Sequence, residues 1–313
     1  MKILNLDEIR ALFHEETALN KLRAGFQAFS ANKVQMPPVQ QFLFKDVQGD
    51  CCIKSAWMEG SDSFCVKVSS GFYQNPSSGL PSNDGLNLLF SAITGQPLVL
   101  LDDHGWLTGM RTALAGRIAA ELLRPEKIER IAIFGTGLQA ELQLRQLCNL
   151  TDCRDVIVWG RSEKSLQHMK ERLSDLNANI VLTQNEEEAA RLSSIIVTAT
   201  PSTTPLIQHE WVSSGTHITA VGADAPGKQE LDASLVGAAD MVLVDALAQC
   251  RAYGELSHCQ EQYQENQLIV EIGTLLTTPS LYQRDPSHIT IADLTGLGIQ
   301  DAQISASILS TLG

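Results

Sequence analysis

The pattern of apolar and polar residues changes character near residue 110. Before that point, one long segment with apolar residues at helical spacing, 7–29, precedes several short apolar runs of strand length. Asp7 is the predicted N-cap of this helix, and Pro37 with Pro38 prevents the helix from continuing. The segment LDDHGW, 101–106, is typical of a hairpin turn. This part of the chain therefore predicts strands and hairpins after one helix.

A second pattern begins at segment 111–123, which is rich in Ala and Leu and predicts a helix that Pro125 ends. After it, apolar runs of strand length alternate with amphipathic helical segments, and a predicted helix at 297–313 closes the sequence. Alternation of this kind is typical of βαβ units, which form a parallel sheet with helices on both faces. The predicted fold class is therefore α/β.

The change of pattern also predicts two domains, with a boundary near residue 115. Residues 1–115 would form the first domain and residues 116–296 the second. The helix at 297–313 has an apolar face, so we expect it to pack back on the first domain.

Composition and charge narrow the class of protein. The 313 residues are 44% hydrophobic and 19% charged, which is typical of a globular protein with a large core. The formal net charge of −13 argues against general binding to nucleic acids or anionic membranes, because both need basic surfaces. An acidic protein can still bind a small anion through a few local Arg or Lys residues.

Cysteine usage and the N-terminal segment add little chemistry. The seven cysteines are odd in number and show no CxxC spacing, so we expect reduced thiols and predict no metal site. The first residues turn acidic too early for a signal peptide, and no apolar run approaches the ~18 residues of a membrane-spanning helix. We therefore expect a cytoplasmic protein without a membrane segment.

The strongest motif is a glycine turn at 135–140, GTGLQA, which follows an apolar strand and opens a helix in the first βαβ unit. Gly135 allows the tight turn, Gly137 lets the backbone approach a pyrophosphate, and Ala140 allows close packing of helix and strand. The helix N-terminus adds free N–H groups. The motif predicts a dinucleotide site that includes Thr136, Leu138 and Gln139. The alternative is a glycine turn in an α/β domain that binds no nucleotide.

The end of the second strand indicates which nucleotide binds. A carboxylate there would favour NAD, but the segment DVIVWGRS, 155–162, supplies Arg161 and Ser162 instead. Because Arg suits a phosphate group, we favour NADP(H) over NAD(H), which stays the alternative. The alternative is that Arg161 is a solvated surface residue that does not contact the cofactor. Five further residues at the ends of later strands are predicted to contact the cofactor: Thr198, Ala199, Thr200, Val221 and Gly222.

Three residues are candidates for binding a substrate outside the carboxyl ends of the strands. Lys67 lies in an apolar strand, either as an edge-strand charge or as a buried ligand. Arg111 begins an apolar helix, where a cation is unfavourable for the helix dipole, and such exceptions often mark function. Asp224 follows a predicted strand, either as an acid/base residue or as a turn or N-cap aspartate.

Four separated motifs together resemble the ornithine cyclodeaminase/mu-crystallin family, and the resemblance spans nearly the whole chain. They are LTGMRTALAGRIAAELL, IAIFGTGLQA, VGADAPGKQELD and DLTGLGIQD. The resemblance implies a homodimer whose subunits combine a Rossmann dinucleotide-binding domain with a mixed α/β substrate-binding and dimerisation domain. It also implies an amino or imino acid substrate bound beside a nicotinamide.

The resemblance assigns roles to individual residues. Lys67 matches the family's substrate-binding Lys, Arg111 matches the Arg that binds the substrate carboxylate, and Asp224 matches the acid/base residue of the cyclodeaminases. One departure concerns Gln40, which is predicted to replace a second carboxylate-binding Arg after a Pro-rich turn. The WGRS segment resembles the NADPH-dependent reductases of the family.

These features favour an NAD(P)H-dependent reductase of a cyclic imino acid. The expected reaction converts Δ1-pyrroline-2-carboxylate to L-proline, with Δ1-piperideine-2-carboxylate as a second substrate. The expected roles are carboxylate binding by Arg111 and Lys67, assistance by Gln40, and proton supply by Asp224 or a water that it orients. The alternatives are ornithine cyclodeamination, alanine dehydrogenation and a non-catalytic NADPH-binding protein.

Overall fold

A computed structural model describes residues 1–72, 74–259 and 267–312, and the backbone alone at residue 76. The chain divides into two units. Unit 1 comprises 1–111 with 297–313, and unit 2 comprises 112–296. The division falls inside a helix, a few residues before the expected boundary at 115. Residue 313, the last of the predicted closing helix, lies outside the described residues.

Unit 1 is built on a seven-stranded, mostly antiparallel sheet. Its elements, up to the helix in which the division falls, are β1 (Lys2–Asn5), α1 (Leu6–Leu12), α2 (Glu15–Ser30), β2 (Val34–Gln35), β3 (Gln40–Phe44), β4 (Gly49–Met58), β5 (Ser63–Phe72), β6 (Asn83–Ser91), β7 (Pro97–Asp102) and α3 (Trp106–Leu123). The strand order is β1-β7-β6-β5-β4-β2, and β3 pairs with β4. Only the β1–β7 pair is parallel.

Unit 2 is an eight-stranded parallel sheet of Rossmann type. Its elements are β8 (Ile131–Phe134), α4 (Leu138–Leu150), β9 (Asp155–Trp159), α5 (Glu163–Arg172), β10 (Asn179–Thr183), α6 (Glu186–Arg191), β11 (Ile195–Thr198), β12 (Thr203–Ile207), β13 (His217–Ala220), β14 (Gln229–Leu231), α7 (Ala233–Ala238), β15 (Met241–Val244), α8 (Leu247–Tyr253), β16 (Leu268–Glu271), α9 (Ile272–Thr277) and β17 (Thr290–Asp293). The order is β10-β9-β8-β11-β13-β17-β15-β16, and β12 pairs with β14 separately.

The strands of unit 2 are short apolar runs because both faces of the sheet are covered. In β8, Ile131 and Ile133 pack in one core, while Ala132 and Phe134 pack in the other. Side chains alternate across a strand, so a fully apolar strand supplies both cores at once. The predicted α/β fold with a βαβ series is confirmed.

The chain returns to unit 1 with α10 (Gly298–Thr311). This helix packs on α2 and on β4, β5 and β6. Most of its residues are buried, which explains why its sequence is apolar on more than one face.

Two local predictions are wrong. The predicted single helix is two helices, because Phe13 is extended and its ring packs edge-on against Trp106, with the ring centroids 5.1 Å apart. The first helix is capped by Asn5, not Asp7: Asn5 accepts the N–H of Glu8 at 3.0 Å, and the Glu8 carboxylate accepts the N–H of Asn5 at 2.9 Å.

The predicted hairpin turn at 101–106 is a helix start. His104 and Gly105 adopt left-handed φ values of 50° and 79°, which turn the chain directly into α3. The Asp103 carboxylate accepts the N–H of Leu107 at 2.7 Å and so stabilises the first turn. No helix in the described ranges is long and apolar enough to span a membrane.

Candidate active site

A buried ion-pair cluster in unit 1 joins two predicted residues through a carboxylate that was not predicted. Nζ of Lys67 lies 2.8 Å from one carboxylate oxygen of Asp301, and Nε of Arg111 lies 3.0 Å from the other. Nη1 of Arg111 donates to Oε1 of Gln300 at 2.8 Å. The side chains of Lys67, Arg111 and Asp301 are between 2% and 8% exposed. Of the two alternatives for Lys67, the structure shows a buried cation rather than an edge-strand charge.

Three elements of unit 1 position this cluster. Lys67 lies on the buried face of β5, Asp301 lies in the first turn of α10, and Arg111 lies in α3. A carboxylate in the first turn of a helix is favoured by the helix dipole. The dipole argument for Arg111 is wrong, because α3 begins at Trp106 and places Arg111 in its second turn. Its buried partner Asp301 explains why a cation occurs in this apolar helix.

Burial and neighbouring charges shift the pKa values within the cluster. Burial lowers the pKa of Lys67 to about 8, with Arg111 and Lys54 acting in the same direction and Asp301 opposing them. Burial alone would raise the pKa of Asp301, but Lys67 and Arg111 hold it below its usual range. The cluster is therefore ionised at neutral pH, and Lys67 titrates close to the physiological range.

Two further charged residues complete the surroundings of the cluster. Lys54 of β4 pairs with Lys67 of β5 in the antiparallel ladder, so both side chains lie on the same face. Asp103 is fully buried, and burial raises its pKa to about 6. With Arg111 and Asp301, the set comprises three cations and two carboxylates.

Gln40 does not lie with this cluster in unit 1. It is exposed and pairs with Ile53, whereas Lys54, the next residue along β4, faces the same side as Lys67. Because neighbouring residues alternate between the faces of a strand, Gln40 lies on the opposite face. Gln41, which pairs with Cys52, lies on the face of Lys54. The predicted assistance from Gln40 is therefore wrong within one chain, because Gln40 and Lys67 lie on opposite faces of the sheet.

The glycine turn of unit 2 has the geometry that the motif predicts. Gly135 has a φ of 125°, and a Cβ there would lie 2.7 Å from the carbonyl oxygen of Ala199. Gly137 is the N-cap residue of α4 and has open space where a side chain would be. Nη2 of Arg172 donates to the carbonyl of Thr136 at 2.7 Å and fixes the turn. Leu138 and Gln139 open the helix.

Arg161 and Ser162 follow the end of β9, and their side chains differ in the contacts that they make. Arg161 is exposed, and no hydrogen bond or ion pair engages its guanidinium in the part of the chain that the structure describes. Ser162 is the N-cap residue of α5 and accepts the N–H of Ser165 at 3.2 Å. The hydroxyl of Ser162 therefore already has a structural role.

Asp224 lies in the loop that follows β13. Its side chain is 52% exposed and forms an ion pair of 2.6 Å with Lys228, four residues further on. The remaining predicted cofactor residues lie at the end of β11, which is Thr198, and in the loops after β11 and β13: Ala199, Thr200, Val221 and Gly222. The N–H of Val221 donates to the carbonyl of Thr198 at 3.0 Å.

Sequence reasoning missed the buried carboxylates that support these groups. Asp301 was visible as an acidic residue at the start of an apolar helix, next to Gln300. Glu230, which binds the loops after β11 and β13, was visible as a lone acidic residue in the GKQEL segment. Within the described ranges, no three His, Cys, Asp or Glu side chains are arranged to hold a metal ion.

The fold and the glycine turn define a Rossmann-type protein with a second, mixed α/β unit. Comparison with known families matches residues 2–311 to the ornithine cyclodeaminase/mu-crystallin family. The chain belongs to this family.

Three curated relatives cover almost the whole chain. An uncharacterised cyclodeaminase, y4tK, of Sinorhizobium fredii is 36% identical over 97% of this chain and 94% of its own length. An alanine dehydrogenase of Archaeoglobus fulgidus is 33% identical, covering 97% and 92%. A Δ1-pyrroline-2-carboxylate reductase of Bacillus cereus is 26% identical, covering 96% and 93%.

Two solved structures match the fold closely. An archaeal alanine dehydrogenase dimer with bound NAD has a TM-score of 0.89 at 31% identity, covering 99% of this chain and 95% of that one. The iminosuccinate reductase of Paracoccus denitrificans with NAD+ has a TM-score of 0.87 at 26% identity, covering 99% and 96%. Relatives in this family are therefore nicotinamide-dependent oxidoreductases.

We predict that Asp301→Asn destabilises the protein in a pH-dependent way. At pH 7 the loss should be about 3–5 kcal/mol, because two buried cations lose their carboxylate. The loss should be smaller at pH 10, because Lys67, with its pKa of about 8, is then neutral in the folded wild type. Denaturant unfolding at both pH values measures the difference.

The direction of this pH dependence follows from a comparison of the folded protein with the unfolded chain. The pKa of Lys67 is lower in the folded protein than in the unfolded chain, so the unfolded chain binds more protons between these values. The Lys67 contribution to stability therefore rises with pH in that window. Glu129→Gln is the control, because its ion pair with Lys127 is 2.7 Å long but exposed. An Asp301→Asn effect as small as this control would contradict a stabilising role for the cluster.

Proposed function

We propose that this protein is an NAD(P)H-dependent reductase of cyclic 2-imino acids. The first substrate is Δ1-pyrroline-2-carboxylate, which yields L-proline, and Δ1-piperideine-2-carboxylate is the six-membered alternative. The observation that carries the proposal is the buried cluster of Lys67, Arg111 and Asp301. Buried cations held in place by a carboxylate are suited to binding the carboxylate of a small substrate.

The cluster has N–H donors that are available to bind a substrate. Asp301 and Gln300 engage Nε and Nη1 of Arg111, and no described residue engages its Nη2. An ammonium group has three N–H donors, so Lys67 also keeps donors beside its contact with Asp301.

The loops of unit 2 fit a dinucleotide. The open space at Gly137 lets a pyrophosphate approach the N-terminus of α4, which has no side-chain cap. When bound, the reduced nicotinamide supplies the hydride for C2 of the imine.

Residues of this chain bind and orient the substrate, and one of them supplies a proton to the ring nitrogen. Arg111 and Lys67 hold the carboxylate, and their positive charges fix its orientation. Protonation of the ring nitrogen makes C2 electrophilic, and Asp224 or a water that it orients supplies this proton. Asp224 is accessible to water, since its side chain is half exposed.

A second candidate is alanine dehydrogenation, and a specific observation favours it. The Archaeoglobus alanine dehydrogenase is 33% identical to this chain, compared with 26% for the Bacillus pyrroline-2-carboxylate reductase. In the reductive direction, both reactions transfer hydride from the nicotinamide to C2 of a 2-imino acid with one carboxylate. Ornithine cyclodeamination, suggested by the name of the y4tK relative, fits the charge less well. L-Ornithine carries an additional ammonium group, which a positive cluster repels.

We predict that Arg111→Ala lowers kcat/KM for Δ1-pyrroline-2-carboxylate by about 100-fold, chiefly through a higher KM, because a charge-assisted hydrogen bond to the carboxylate is lost. The assay follows absorbance at 340 nm with purified protein, NADPH or NADH, and the imino acid. Lys127→Ala, which removes an exposed cation, is the control and should keep wild-type values.

Each outcome of this assay decides between reactions. Wild-type kcat/KM in Arg111→Ala would contradict the carboxylate role. A faster reaction with pyruvate and ammonia would favour alanine dehydrogenation. Ammonia release from L-ornithine plus NAD, without turnover of the imino acid, would favour the cyclodeaminase.

The same proposal includes a preference for NADPH over NADH. The support is the exposed guanidinium of Arg161 beyond β9 and the absence of a carboxylate between Gly160 and Ser162. We expect Arg161→Ala to raise the KM for NADPH about tenfold and to leave the KM for NADH unchanged. Lys164→Ala, an exposed cation in α5, is the control. A wild type that uses NADH equally well would overturn the preference.

We also propose a homodimer that covers β3. Every residue of β3 is exposed, including Phe42 at 53% and Leu43 at 62%, and the strand lies at an edge of its sheet. Exposed apolar edge strands favour pairing with another chain. A second copy is the partner that we infer, because the archaeal alanine dehydrogenase is a dimer.

Light scattering tests this assembly. We expect the wild type to have twice the monomer mass of 34.1 kDa, and Leu43→Glu to shift it to the monomer. Ile93→Glu, at an exposed apolar residue outside β3, should stay dimeric. A monomeric wild type, or a dimeric Leu43→Glu variant, would show that β3 is not the interface.

A further inference from the structure

Glu230 is fully buried in unit 2 and binds two loops at once. One carboxylate oxygen accepts the N–H and the hydroxyl of Thr200, at 2.6 and 2.7 Å. The other accepts the hydroxyl of Thr198 and the N–H of Gly222, both at 2.8 Å. All four bonds therefore run from the end of β11 and from the loops after β11 and β13 to a single side chain.

These loops follow β11 and β13, which are neighbours in the sheet. Counted along the chain within the eight-stranded sheet, the first five strands lie in the order third, second, first, fourth and fifth, which is the order of these strands in a Rossmann fold. In that fold the first two strands bind the adenosine half of the dinucleotide, so the loops after the fourth and fifth serve the nicotinamide half. Glu230 supports these two loops from within the core.

We infer that Glu230 is a positioning residue that sets the separation of the two loops for the nicotinamide half of the cofactor. The inference rests on the proposed function. A carboxylate accepts all four bonds, whereas a neutral amide would direct its N–H groups at one pair of donors. The backbone N–H groups of Thr200 and Gly222 cannot reverse their direction, so an amide loses at least one bond.

Close packing makes the separation of the loops depend on this side chain. A Cβ at Gly222 would lie 2.5 Å from the Glu230 carboxylate and 2.2 Å from the carbonyl of Thr200. The loops thus touch each other and the carboxylate without intervening side chains. Burial raises the pKa of Glu230, while the donors of Thr200, Thr198 and Gly222 act to lower it.

A second buried glutamate provides a matched control. Glu255 accepts the N–H groups of Glu230 and Leu231, at 2.8 and 3.1 Å. It is as deeply buried as Glu230 and also bonds to the backbone, but these bonds go to β14 and not to the two loops. Glu255→Gln therefore tests the cost of a buried amide that bonds to the backbone of Glu230 and Leu231 and makes no hydrogen bond to the two loops.

We expect Glu230→Gln to weaken NADH binding about tenfold or more, because bonds to both loops depend on the carboxylate. Nucleotide fluorescence measures the dissociation constant, and steady-state kinetics measure both KM values. The KM for the nucleotide should rise in parallel, while the KM for the imino acid stays within about twofold. Glu255→Gln should lower the melting temperature but keep the NADH dissociation constant within about twofold.

Other outcomes overturn the inference or the proposed function separately. The inference would be overturned if Glu230→Gln bound NADH with the wild-type dissociation constant. It would also be overturned if Glu255→Gln weakened NADH binding as much as Glu230→Gln does, because Glu230 would then have only a structural role. A wild type that binds neither NADH nor NADPH would contradict the proposed function instead. If Glu230→Gln does not fold, Glu230→Asp replaces it, because its shorter side chain reaches only one loop. Wild-type NADH affinity in Glu230→Asp would then overturn the inference.

Discussion

The ion pairs of Asp301 are the interaction on which unit 1 depends. They connect a strand, a helix and the returning α10, and Asp301 is 190 residues from Arg111 along the chain. Two buried cations without a carboxylate would be strongly unfavourable in this core. The cluster therefore makes α10 a required part of unit 1, and it also holds Lys67 and Arg111 in a defined orientation.

Unit 2 uses buried carboxylates in another way. Three of its buried acidic side chains, Glu230, Asp245 and Glu255, bind backbone N–H groups. Asp245 accepts the N–H groups of Thr295 and Gly296, at 3.0 and 2.6 Å, and Glu255 accepts those of β14. A carboxylate can accept several such bonds at once, so a few buried side chains fix many loops at the carboxyl edge of the sheet. These loops are thus held by hydrogen bonds without being part of the sheet.

The features that were predictable from sequence are those encoded by neighbouring residues. The alternation of strands and helices predicted the Rossmann-type unit, and the glycine turn lies where the motif places it. The start of α3 was mispredicted because the left-handed turn at His104 and Gly105 is also typical of hairpins. The role of Gln40 was mispredicted because the segment after the Pro-rich turn does not specify the register of β3, and a shift of one residue exchanges the two faces of a strand.

Long-range partners could not be predicted from the pattern of one segment. Lys67 and Arg111 were singled out, but their shared partner Asp301 lies at the far end of the sequence. Arg111 was therefore identified for the wrong physical reason. Glu230 was missed because a single acidic residue in a short strand resembles an ordinary surface residue until its burial is known.

The discontinuous composition of unit 1 has a consequence for how the protein is made. On the ribosome, residues 112–296 emerge before α10, so the Rossmann-type unit has its complete sequence first. The sheet of unit 1, although synthesised earliest, lacks both its covering helix and the carboxylate for its buried cations until α10 arrives. The order of maturation is thus the reverse of the order of synthesis, and a chain cut short before residue 297 would leave the N-terminal unit unfinished.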